Sequence, residues 1–84
     1  MEYVIVAVRS RSIVVGLSDY LTKMGIRNQI VNTPKDAGVG CGLSIKISSN
    51  LLLAVKRAVS IKKINVAGYF LVKNVGGKNL VKAI

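Results

Sequence analysis

The segment EYVIVAV, from Glu2 to Val8, is a continuous apolar run rich in β-branched residues. It shows no polar alternation, so it predicts a strand buried on both faces. The next segment, RSRSIVVGLSDYLTKMG, changes period. Ile13, Leu17, Tyr20, Leu21 and Met24 recur at helical spacing, with Arg11, Ser18, Asp19, Thr22 and Lys23 elsewhere. Ser10 or Ser12 suits the N-cap, and Gly25 suits the left-handed position after the last turn.

IRNQIVN predicts a second strand. LSIKIS predicts a third, with Leu43, Ile45 and Ile47 on one face and Ser44, Lys46 and Ser48 on the other. Ser48, Ser49 or Asn50 can cap a second helix whose stripe is Leu51, Val55, Ala58 and Ile61, opposite Lys56, Arg57, Ser60 and Lys63. VAGYFLVKN is the last clear strand; Gly76-Gly77 breaks it, and KNLVKAI suits either an added edge strand or a helical turn.

This order, β-α-β-β-α-β, is the ferredoxin-like pattern. The expected fold class is α+β: a four-stranded antiparallel sheet, order 4-1-3-2, with two helices on one face. Residues 1–84 are expected to make one ferredoxin-like domain, with 76–84 a tail of unassigned structure. In that topology the end of strand 1, the start of helix 1, the strand 2–3 loop and the end of helix 2 share one end of the sheet.

Composition excludes much chemistry. The chain has 13 basic and 3 acidic residues and no histidine. Three scattered acids, Glu2, Asp19 and Asp36, make a paired-carboxylate mechanism improbable. A serine or cysteine triad lacks its usual base, and a zinc site lacks a convincing ligand set. No apolar run approaches the ~18 residues that span a bilayer. Met1 leads straight into the first strand without a basic region or cleavage site. The expectation is a soluble cytoplasmic protein, and a lone cysteine agrees, because a disulfide framework needs pairs.

That cysteine lies in TPKDAGVGCG, Thr33 to Gly42, with the only proline and three of the eight glycines. A free cysteine often packs as a small hydrophobe. Here Gly40 and Gly42 flank Cys41, leaving its thiol accessible and neighbouring amides open to an anion. The expected topology brings Arg9, Ser10 and Arg11 near it, with Lys62 and Lys63 further candidates. A helix N-terminus and cations are the conditions that raise thiolate content. The glycines also suit a plain turn with positive φ. A phosphate loop is excluded, because no Gly-Lys-Ser/Thr opens a helix.

Asn32 to Ile47, NTPKDAGVGCGLSIKI, resembles the signature of the "putative selenium/sulfur carrier protein-like" family. Thr33, Pro34, Lys35, Asp36, Cys41, Gly42 and the LSIKI strand fall at matching positions. MGI at 24–26 matches the end of that family's first helix. The resemblance covers about residues 3–70. It implies a carrier thiol at Cys41 holding a persulfide or selenopersulfide, with Thr33, Pro34, Lys35, Gly40 and Gly42 as supporting loop. It implies no cofactor beyond covalent sulfane sulfur or selenium. Gly38, Val39 and Gly40 replace the family's serine run, Asn32 its first proline and Lys35 its arginine.

Three functions follow as expectations. The first is a carrier rather than a catalyst, exchanging sulfur or selenium with donor and acceptor proteins that an excess of positive charge would favour as acidic. The second is an interaction or assembly module with an inert thiol; a mean hydropathy of +0.50 and strands 1 and 4 apolar on both faces suggest a homodimer packed through the open sheet face. The third is a nucleic-acid module, given a net charge of +10. RNA-recognition motifs share this element order but need aromatics on the central strands; strand 1 offers Tyr3 and strand 3 none, while Tyr69 and Phe70 lie on the last strand.

Overall fold

The computed structural model describes residues 2–35, 37 and 42–84. Its elements are β1 (Glu2–Val8), α1 (Arg11–Lys23), β2 (Gln29–Asn32), β3 (Leu43–Ser48), a 3₁₀ turn (Ser49–Leu51), α2 (Leu52–Lys62), β4 (Val66–Val75) and β5 (Lys78–Ala83). All strand pairs are antiparallel, and the sheet order is β2-β3-β1-β4-β5. The first four strands keep the expected order, with β1 and β3 in its interior.

The expected four-stranded sheet is corrected to five among the described residues. The tail returns as β5, paired from Val75↔Lys78 to Phe70↔Ala83. The reason is local. Gly76 and Gly77 both have positive φ, +57° and +80°, as a two-residue hairpin turn of the twist-compatible kind requires. The glycine pair that ends one strand therefore starts the next.

β1 is buried from Val4 to Val8. Val4, Val6 and Val8 pack under the helices with Val14, Leu17, Leu21, Ile45, Ile47, Val55 and Ala58. Ile5 and Ala7 belong to a second cluster on the other face, with Phe70, Val72 and Ala37. Gly68 sits opposite Ala7; a Cβ there would lie 2.9 Å from the Phe70 ring, so the glycine lets that ring lie flat on the sheet. Tyr3, Ile5, Phe70, Val72 and Val81 are buried or half-buried within the chain.

α1 is capped as read. The Ser10 hydroxyl accepts from the Ile13 N–H at 3.3 Å. At the other end Gly25 (φ +77°) donates to the Thr22 carbonyl, and Ile26 donates to the Leu21 carbonyl, a complete Schellman closure. Asn28 then ties the exit to the helix. Its side chain accepts from Ser18 Oγ and donates to Thr22 Oγ1 and the Ile26 carbonyl.

The second helix departs from expectation. None of Ser48, Ser49 or Asn50 caps it; Leu51 holds the N-cap position without a side-chain bond. The 3₁₀ turn does the work instead, with the Leu52 N–H bonded to the Ser49 carbonyl. Its buried residues are Val55, Ala58 and Val59, while Ile61 is 68% exposed. Met24, the C-cap of α1, is also exposed, while Val14 is buried.

Candidate functional site

The segment joining β2 to β3 is closed at its base by two bonds. The Thr33 N–H donates to the Gly42 carbonyl at 2.9 Å. Thr33 Oγ1 and Ser44 Oγ lie 2.6 Å apart. Ser44 is fully buried, so this hydroxyl pair satisfies groups that would otherwise be costly inside the protein. Gly42 adopts φ +92°, a conformation that side chains rarely take.

Beyond Thr33 the chain turns at once. The Ala37 N–H donates to the Pro34 carbonyl at 3.0 Å. Ala37 is buried against Ile5, Ala7, Phe70 and Val72. The described part of the loop is therefore seated on the sheet face opposite the helices. Small residues make the seat, since Ala7 pairs with both Ser44 and Gly68. Lys35 is exposed, and Thr33 and Pro34 are half-buried. Gly40 and Cys41 lie outside the described residues, as do Asp36, Gly38 and Val39.

Arg9 and Arg11 are exposed at the end of β1 and the start of α1. The Ala7↔Ser44 pairing puts the end of β1, the start of β3 and the Thr33–Gly42 closure at one end of the sheet. The Ser10 hydroxyl is engaged in the α1 cap and lies 3.2 Å from Ser12 Oγ. Lys62 turns toward the other helix, its Nζ 4.5 Å from the centre of the Tyr20 ring. Lys63 holds the left-handed position that closes α2 (φ 54°).

Two residues escaped sequence reading. Ser44 belongs to the polar side of an alternating strand and so reads as solvated, yet it is fully buried and hydrogen-bonded to Thr33. Ala37 has no sequence signal beyond its apolar character within a polar loop.

All three tyrosines are covered by lysines. Lys46 lies over Tyr3 at 4.4 Å, Lys56 over Tyr69 at 5.1 Å and Lys62 over Tyr20 at 4.5 Å. Phe70 is buried. No helix among the described residues is long and apolar enough to cross a membrane.

Comparison with curated proteins and with solved structures finds no significant match. A family model described as "Putative Se/S carrier protein-like" matches residues 2–71. The match runs from β1 into β4, taking in the β2–β3 loop, while β5 lies beyond it. The chain belongs to this Se/S carrier protein-like family.

Proposed function

We propose that the protein is a sulfur or selenium carrier with Cys41 as the carrier thiol. Family membership over residues 2–71 carries this reading. The loop base supports it: Thr33, Gly42 and Ser44 tie together the two ends of the segment that contains Cys41. Thr33, Pro34, Lys35, Gly40 and Gly42 form the supporting loop. Arg9, Ser10 and Arg11 supply positive charge and a helix N-terminus at that end of the sheet, which favour a thiolate.

Loading needs no outside oxidant. The Cys41 thiolate attacks the terminal sulfur of a donor persulfide, R–S–S–H. The donor S–S bond breaks, R–S⁻ leaves, and Cys41–S–S–H forms. An acceptor nucleophile then attacks the outer sulfur and takes it, returning the Cys41 thiolate. With selenium as cargo, the outer atom is selenium and the bookkeeping is unchanged. The protein holds the atom and does not cleave a substrate bond of its own. Donor and acceptor are proteins with acidic docking surfaces.

The test is intact mass after incubation with a cysteine desulfurase and cysteine. One added sulfur on the native protein, removed by reductant and missing from Cys41→Ser, is expected. No adduct, or an equal adduct on Cys41→Ser, would end the reading. Base-stacking recognition of RNA is disfavoured, since lysines cover the tyrosine rings.

A further inference from the structure

Polar side chains from three segments meet at one corner of the helix-free sheet face. Gln29 on β2 pairs with Lys46 on β3, and Ser48 on β3 pairs with Tyr3 on β1. Lys46 and Ser48 are two residues apart, so strand alternation sets these four side chains on one face. Ile5, the partner of Lys46 on β1, identifies it as the face away from the helices. Arg27 enters the corner from the segment before β2. Together these residues line a hollow of about 210 Å³, with Glu2 at its rim.

The cations in this lining are not neutralised within it. Glu2, its one acid, pairs at 3.8 Å with Lys73 of β4, which stands outside the hollow. Among the described residues, the side chains of Arg27, Gln29, Lys46 and Ser48 have no hydrogen bond or ion pair. Two of them are nevertheless placed in advance. Lys46 is half-buried, and its Nζ lies 4.4 Å from the centre of the Tyr3 ring. Arg27 adjoins Asn28, whose side chain is bonded to Ser18, Thr22 and the Ile26 carbonyl.

We infer that this corner binds the phosphate group of a small ligand. The Arg27 guanidinium would donate to two of its oxygens as a fork, with the Lys46 ammonium as a second positive charge. The Gln29 amide and the Ser48 hydroxyl would donate to the oxygens that remain. Two cations and two neutral donors suit a tetrahedral dianion. A carboxylate, with one charge and two oxygens, would leave part of the set unused. The inference holds whether or not Cys41 carries sulfur.

The probes are inorganic phosphate and glycerol phosphate, with acetate as control, titrated at constant ionic strength into the isotope-labelled full chain. Saturable NMR shifts centred on Arg27, Gln29, Lys46 and Ser48 are expected, with acetate about tenfold weaker or worse. Tighter binding of glycerol phosphate assigns the site to an organic monoester and equal binding to free phosphate; both support it. Arg27→Gln and Lys46→Gln should each weaken binding about tenfold. Arg27 is exposed, so its variant tests the site even if loss of the Lys46 contact with Tyr3 disturbs folding. Arg57→Gln, which removes the same charge from the exposed side of α2, should leave affinity unchanged. Equal weakening in Arg57→Gln, equal binding of acetate, or shifts spread over all exposed lysines would reduce the effect to net charge and overturn the inference. So would binding seen only with an RNA oligonucleotide, which would assign these cations to a polymer backbone.

Discussion

Thr33 Oγ1 and Ser44 Oγ lie 2.6 Å apart across the mouth of the β2–β3 loop, with Ser44 fully buried. The pair links residues that the alternating pattern would leave in solvent. Ser44→Ala should cost about 1–2 kcal/mol in urea unfolding, because the Thr33 hydroxyl loses this partner. The double variant Thr33→Val/Ser44→Ala should cost less than the sum of the single changes, since the partners are lost together. Strict additivity would show that the two hydroxyls do not interact.

Burial separates two apolar residues that look equivalent in sequence. Leu17 is fully buried and Ile61 is 68% exposed. Leu17→Ala should destabilise by about 2–5 kcal/mol, whereas Ile61→Ala should stay within about 0.5 kcal/mol of the native protein. Thermal and chemical denaturation measure both.

Lys63 closes α2 with φ 54° and ψ 41°. That conformation costs a side-chain-bearing residue about 1–2 kcal/mol. Part of the gain on relief is returned through the freer unfolded chain of glycine. Lys63→Gly should therefore stabilise the protein by about 0.5–1 kcal/mol. Gly25 holds the matching place after α1 at φ +77°, so Gly25→Ala should move stability the other way.

Burial raises the Tyr69 hydroxyl above its ordinary 10.0. The unfolded chain then ionises first as pH rises, which pulls the equilibrium toward unfolding. The contribution of Tyr69 is thus complete below pH 10.0 and is lost as pH climbs through the higher folded value. Tyr69→Phe should flatten this alkaline loss. Urea midpoints on either side of pH 10 test it, and an unchanged slope would refute it.

Much of the fold is legible from local chemistry. The unbroken apolar run of β1 implies burial on both faces, and the structure places Val6 under the helices and Ile5 on the opposite face. Ser10 and Gly25 mark the ends of α1 because capping is local. Gly76-Gly77 was also a readable hairpin signal; its force depended on whether a strand followed, and KNLVKAI is weak by itself. Ile61 failed because helical spacing alone cannot say which flank of a wide apolar stripe turns to the sheet.

The sequence alone determined the order of the first four strands and two helices, the ends of α1 and the singling out of one thiol, since histidine is absent and acids are scarce. These follow from periodicity and composition, which are properties of neighbouring residues. Tertiary structure decided that Ala37 packs on the helix-free face and that Ser44 is buried. It also decided that lysines cover all three tyrosines and that Gly16 faces an open groove. Each of those outcomes depends on strands or helices far apart in the chain meeting at a fixed register, which local pattern does not specify.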